Sequence, residues 1–171
     1  MRERIISLIP PDHTCYVELF AGAAWVLLAK PPSQVEILND LDEELISFFR
    51  VVKDDTLCEQ LVRSFEWDLV SRSEFKRLAE LDPQTLSPLE RAHRFYYLIM
   101  AGWGGELAYP RFQTSITDGG YGNRLVGAIK TPAALRARLE PVRDRLRTVL
   151  IENLTWEACF ARYDRPSVVM Y

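Results

Sequence analysis

The sequence predicts an α/β fold. Three observations predict it: two short β-prone runs flanking a glycine turn, a helical middle with marked helix starts, and a second pair of short strands near the C-terminus. Cys15 to Phe20 is an apolar run entering the turn Ala21-Gly22-Ala23-Ala24, and Trp25 to Lys30 has helical character before Pro31-Pro32 stops it. Val35 to Leu38 is the second buried strand, closed by Asn39-Asp40, so this region makes a β-α-β unit. From Asp42 onward Leu45, Ile46, Phe49 and Val52 recur at helical spacing. Asp42, Glu43 and Glu44 fall in the first turn, where the helix dipole favours acidic groups.

Capping chemistry marks the middle of the chain. Ser71 with Glu74, and Ser87-Pro88 with Glu90, are capping-box patterns, the second with proline at the first helical position. The helix after Ser87 puts Ala92, Phe95, Tyr96 and Ile99 on one side as a core-facing stripe. Residues 102–127 then lose apolar periodicity and hold Gly102, Gly104, Gly105, Gly119, Gly120, Gly122 and Gly127, an expected long loop of the functional or disordered kind. Thr131-Pro132 opens a helix with Leu135, Leu139, Val142 and Leu146 inward and Arg136, Arg138, Arg143, Arg145 and Arg147 on its other faces. Pro141 is expected to kink or divide it. Val149 to Ile151 is a third strand, a short helix runs to about Tyr163, and Ser167 to Tyr171 is a fourth strand.

With 171 residues, 48% of them hydrophobic, the chain can bury one core and reads as one domain with an insertion. The apolar stretch after Met1 is too short for a signal sequence, and nothing approaches the roughly 20 apolar residues of a membrane span, so a cytoplasmic location is expected. Cys15, Cys58 and Cys159 are widely spaced and form no Cys-x-x-Cys pair, while His13 and His93 lack ligand-spaced partners. Neither a disulfide framework nor metal chemistry is expected. The net charge of −3 hides an asymmetry: residues 1–90 hold 9 Lys/Arg against 17 Asp/Glu, whereas residues 91–147 hold 10 against 4. A basic segment inside an acidic protein suits a polyanion such as DNA, and equally suits an ordinary solvated helix face.

The chemistry-bearing constellation is Phe20-Ala21-Gly22-Ala23-Ala24 with Asp40 eighteen positions after Gly22. A glycine in the turn lets a ligand approach the backbone, the amides after it donate, and an acidic residue after the next strand accepts from ribose hydroxyls. That spacing fits an adenosine-containing cofactor. A dinucleotide would normally want Gly-x-Gly-x-x-Gly, and here Ala24 stands in place of the second glycine, which disfavours a nucleotide-dependent oxidoreductase. A glycine serving a tight β-α turn in some other α/β domain explains the same residues without a ligand.

Tyr16 to Ala24, Lys30 to Glu36, Leu38-Asn39-Asp40-Leu41 and Phe48 to Val52 are together similar to the opening of adenine-N6 DNA methyltransferases of the Dam type, the D12 class. Ile151 to Trp156 with Tyr163-Asp164-Arg165-Pro166 resembles the stretch that leads, in that family, into an Asp-Pro-Pro-Tyr motif. The resemblance covers nearly the whole chain. It implies a Rossmann-like S-adenosylmethionine-dependent methyltransferase fold, incomplete, with a mainly helical target-recognition insertion. The cofactor-binding α/β domain would comprise residues 1–53 and 148–171, and the insertion residues 54–147.

The resemblance further implies S-adenosylmethionine as cofactor and double-stranded DNA as partner. Phe20, Ala21, Gly22 and Ala23 would form the loop beneath the methionine part, Glu18 would sit at the strand end near its amino group, Asp40 would hold the ribose, and Asn153 and Thr155 would complete the site. Thr155 departs from the family, which commonly has an acidic residue there to contact the adenine amine. Arg91, Arg94, Trp103, Arg111 and Arg124 are candidate DNA contacts, with Tyr96 equally a core residue. No catalytic residue is expected within these residues, because the Asp-Pro-Pro-Tyr motif would begin just beyond Tyr171, and the chain alone is expected to transfer no methyl group. The alternative is a non-enzymatic DNA-binding or partner-binding α/β module with a relic cofactor loop. The incomplete sheet also raises self-association or a complementing chain as an expectation.

Overall fold

The computed structural model describes residues 1–104, 107, 109–114 and 122–171. Gly105, Gly119 and Gly120 of the expected loop lie outside the described residues. In chain order the elements are α1 (Arg2–Leu8), β1 (Cys15–Glu18), β2 (Val35–Asn39), α2 (Glu43–Lys53), α3 (Asp55–Ser64), α4 (Arg72–Glu80), α5 (Pro88–Ala101), α6 (Arg124–Ala128), α7 (Pro132–Leu146), β3 (Leu150–Glu152), α8 (Trp156–Tyr163) and β4 (Val168–Met170). They fall into two compact units, Met1–Arg50 with Asp144–Tyr171, and Val51–Arg143.

The first unit is built on a four-stranded, wholly parallel sheet in the order β3-β2-β1-β4. Cys15 stands opposite Val35 on one side and Val168 on the other, so the strands finish at nearly one level. The two-residue period of a strand then sorts the side chains. Val17 and Ile37 point to a face closed by Cys159 of α8, with Leu154, Tyr163 and Met170 packed around them. Tyr16, Glu18 and Glu36 belong to the alternate positions and are also buried, at 0%, 2% and 2% exposure. This parallel sheet with flanking helices is the expected Rossmann-like α/β arrangement.

A buried charge cluster holds that second face. Lys30 Nζ donates to Glu36 Oε1 (2.5 Å), Ser33 Oγ (2.7 Å) and the Pro31 carbonyl (2.8 Å), and lies 4.5 Å from the centre of the Tyr16 ring. Arg145 completes it with both guanidinium NH2 groups on the Glu36 carboxylate. Every charge in the cluster has an opposite partner, which is the condition for burying charge without prohibitive desolvation.

The expected helix from Trp25 to Lys30 does not form; the segment is a series of turns. Two features prevent it. Ala24 has φ +53°, which breaks helical geometry at the entrance, and the Leu27 amide donates to Glu18 Oε2 (2.9 Å) instead of continuing a helical ladder. Only about one turn's length then remains before Pro31. The helix at α1 was not anticipated, because it buries no residue and so leaves no apolar stripe to read.

In the second unit, helices α3, α4 and α6 pack on α5. Ser87 and Glu90 make the full reciprocal capping box. At α4 only half of the expected box forms: Ser71 Oγ accepts from the Glu74 amide (3.1 Å), but the Ser71 amide donates to Tyr97 Oη (3.1 Å), and Glu74 turns to Arg77. The core stripe of α5 is rotated from expectation. Ala92 and Phe95 are buried as read, Tyr97, Leu98 and Ala101 join them, and Tyr96 and Ile99 are half-buried, because α5 is covered on more than one side. The expected loop gives up Arg124–Ala128 to α6, capped by the Asn123 side chain. Helix α7 runs undivided through the exposed Pro141, so the proline does not split it.

Candidate cofactor site and nucleic-acid interface

Open α/β sheets bind ligands beyond the carboxyl ends of their strands, and the site builds from there. Beyond β1, Phe20 is 68% exposed and Ala21 is buried, its amide donating to the Asn39 carbonyl (2.9 Å). Gly22 has φ +48°, a conformation that disfavours any side chain, although a Cβ there would meet nothing within 4 Å. Glycine is therefore favoured by backbone geometry, and the space in front of it is open. Ala23 is exposed; Ala24 holds a left-handed φ with its methyl fully buried, at a cost of about 1–2 kcal/mol.

Beyond β2, Asp40 joins the two strand ends. Its Oδ2 accepts from the Gly22 amide (2.8 Å) and its Oδ1 from the Asp42 amide (2.9 Å), so one carboxylate fixes both the glycine turn and the entry to α2. Each oxygen retains a lone pair for a further donor. Asn153, beyond β3, donates to the Asp40 carbonyl (2.8 Å), and Thr155 caps α8 by accepting from the Ala158 amide (3.3 Å). Thr155 is exposed, and its hydroxyl is a helix cap in this arrangement.

Glu18 ends β1 but points into the sheet face. Its Oε2 accepts from the Leu27 amide (2.9 Å) and Tyr16 Oη (3.2 Å); burial raises its carboxyl above the ordinary value, against the lowering effect of those donors and of Lys30. Asn39 was missed from the sequence. Fully buried, it donates to the Leu19 and Leu154 carbonyls and accepts from the Leu154 amide, tying the ends of β1, β2 and β3 together. Its only signal was a polar residue closing an apolar strand. Beyond each strand lies an exposed apolar side chain: Phe20, Leu41, Trp156 and Tyr171. The carboxyl edge of the sheet thus combines a glycine turn with open space before it, an anchored carboxylate and an apolar rim. A nucleoside carrying an aliphatic arm needs those three elements, so the residues fit the implied cofactor.

The candidate DNA contacts, all in the second unit, separate into two kinds. Arg94 donates to the Leu78 carbonyl (2.8 Å) and lies within reach of that of Ala79, at the C-terminus of α4. Arg124 donates to the Gly102 (2.6 Å) and Ile99 (3.1 Å) carbonyls at the end of α5. Both cap helix ends, where cations are favoured. Arg136 pairs with Glu59 (2.6 Å) and Arg143 with Asp55 (3.2 Å). Trp103 is 57% exposed and its amide donates to the Arg111 carbonyl (2.9 Å); Arg111 is exposed. Arg91 and Tyr96 are half-buried on α5.

His93 is another unread feature. Its ring stacks on Phe65 at 4.0 Å, Nδ1 lies 2.7 Å from Ser64 Oγ and Nε2 lies 2.8 Å from Asp68 Oδ2. Hydrolytic chemistry is disfavoured there: Ser64 ends α3 and its Oγ also bonds the Leu61 carbonyl (2.8 Å), placing any developing oxyanion at the negative end of a helix.

A family model for the D12 class N6 adenine-specific DNA methyltransferases matches residues 2–171. The chain belongs to this family. No individual curated protein matches it significantly. Family membership makes DNA the substrate class of the group. No helix among the described residues is long and apolar enough to cross a membrane.

Proposed function

We propose that this D12-class chain binds S-adenosylmethionine at the carboxyl edge of its sheet and contributes to adenine-N6 methylation of double-stranded DNA. The observation that carries the proposal is the link between Gly22 and Asp40. A left-handed glycine with open space before it is held by the same carboxylate that stands at the next strand end, as an adenosine ribose requires. Phe20, Ala21, Gly22 and Ala23 form the loop beneath the methionine arm, Glu18 holds the segment that follows the loop through the Leu27 amide, Asp40 accepts from the ribose hydroxyls, and Asn153 and Thr155 border the adenine. S-adenosylmethionine supplies an electrophilic methyl on its sulfonium. These residues bind and orient; they offer no group to receive the adenine amine.

The Asp-Pro-Pro-Tyr tetrapeptide does not occur among the 171 residues. We therefore expect the 171-residue polypeptide by itself to transfer no methyl group, and turnover on adenine-containing duplex DNA by that polypeptide overturns this part. Calorimetry tests the cofactor reading. Binding of S-adenosylmethionine that weakens at least tenfold in Asp40→Ala supports it, while undetectable binding alongside salt-sensitive DNA affinity favours a non-enzymatic DNA-binding module. Among the described residues β3 and β4 are the outer strands of the sheet, and this reading includes pairing of one of them with a strand from a second copy or a complementing chain. Sedimentation across protein concentrations tests that.

A further inference from the structure

Around a concavity of about 420 Å3 in the second unit, Arg72 and Lys76 of α4 meet Pro110, Arg111 and Phe112. The Arg72 guanidinium lies 5.2 Å from the Phe112 ring centre, and Phe112 meets Phe75 edge-on at 5.5 Å, so the floor is aromatic while the rim is cationic. The segment carrying Arg111 is fixed to the end of α5: Gly102 bridges Phe112, the Trp103 amide donates to the Arg111 carbonyl, and the Gln113 amide donates to the Ala101 carbonyl (2.7 Å). Glycine at 102 is set by α5 itself, since a Cβ there would stand 2.6 Å from the Leu98 carbonyl oxygen, while the Arg111 carbonyl would lie at an ordinary 3.6 Å.

The charge of this rim differs from that of other cations in the unit. Arg94 and Arg124 cap helices, and Arg136 and Arg143 pair with carboxylates. Among the described residues no carboxylate pairs with Arg72 or Arg111, and Lys76 has only a long, exposed contact to Glu80 (3.8 Å). In a protein of net charge −3, three exposed cations around one concavity form a local site for a polyanion.

We propose that Arg72, Lys76 and Arg111 form a seat for the phosphate backbone of duplex DNA, with Phe112 holding Arg72 in place. This rests on the DNA reading above and extends it from Arg111, already a candidate contact, to Arg72 and Lys76, which lie in the acidic part of the sequence. Contacts of this kind position the duplex without reading its bases. Affinity should therefore fall similarly on unrelated duplexes when the three charges are removed.

The experiment is fluorescence anisotropy of two labelled duplexes of unrelated sequence, titrated with the full 171-residue chain across salt concentrations. In the triple variant Arg72→Gln/Lys76→Gln/Arg111→Gln we expect binding to weaken at least tenfold on both, and the slope of log affinity against log salt to flatten by about 2–3. Arg63→Gln, an exposed arginine of α3 elsewhere in the unit, should change the slope by less than about one. The variant Arg72→Lys/Arg111→Lys should retain the wild-type slope, which separates charge from fold. An unchanged slope in the triple variant, with wild-type binding intact, overturns the seat alone. No binding of either duplex by the wild-type chain at low salt overturns the DNA reading together with the seat.

Discussion

Glu18 and Glu36 are both 2% exposed, and their surroundings act on them in opposite directions. Burial dominates at Glu18 and raises its carboxyl, against the lowering effect of the Leu27 amide, the Tyr16 hydroxyl and the Lys30 charge. Glu18→Gln keeps an oxygen to accept from Tyr16 and Leu27 while removing the buried charge. At pH 7 we expect the variant to melt at a higher temperature than the parent; a lower melting temperature would show that the carboxylate is stabilising. Ala24 illustrates a second residue-scale conflict. Its left-handed φ explains why glycine suits this position of the turn, and its buried methyl does not narrow the open space before Gly22.

At the scale of elements, α7 carries Pro141 in its interior without dividing. Proline removes one amide from the ladder and crowds the preceding turn, a cost normally near 3 kcal/mol in a helix interior. Leu135, Leu139 and Leu146 are buried on either side of it, and this packing holds the helix together. Because Pro141 is exposed, alanine there removes no core contact. Pro141→Ala should stabilise the protein by about 1–3 kcal/mol, measured as a shift in urea midpoint at constant slope. A loss of stability would mean that the proline sets a bend which the packing of α7 requires. Helix ends show a related effect: Arg94 and Arg124, which read as available cations, close α4 and α5 instead.

At the scale of the whole molecule, pH acts through the buried cluster. Burial alone would raise Glu36, but hydrogen bonds from Arg145 and Lys30 and the Ser33 amide pull its carboxyl below the ordinary 4.5. A carboxyl lowered on folding contributes stability that is present above about pH 4.5 and is lost as pH falls through its lower folded value. Glu36→Gln leaves Lys30 and Arg145 without their shared anion. It should cost about 3–5 kcal/mol at neutral pH and flatten the acid limb of the stability profile, as thermal melts from pH 7 to pH 3 would measure. A variant with the parent's acid limb would assign that limb to other carboxylates. Net charge follows the same logic: much of the basic excess of residues 91–147 is taken up internally, by Arg94, Arg124, Arg136, Arg143 and Arg145.

Local chemistry determined much of this protein. The short apolar strands, the glycine turn, the spacing to Asp40, the capping box at Ser87 and the family resemblance are all legible in the sequence, because each depends on residues close in the chain or on a pattern of fixed order. What the tertiary structure alone decided depends on distant partners. Glu18 captures the Leu27 amide, so the segment after Gly22 is a set of turns. Asn39 binds the neighbouring strand ends, which no short motif encodes. Arg72 and Lys76 lie in an acidic stretch of sequence, yet fold beside Arg111 and Phe112. Charge counted along a chain ignores which cations meet helix ends or carboxylates; only the folded arrangement separates those from the ones left facing solvent.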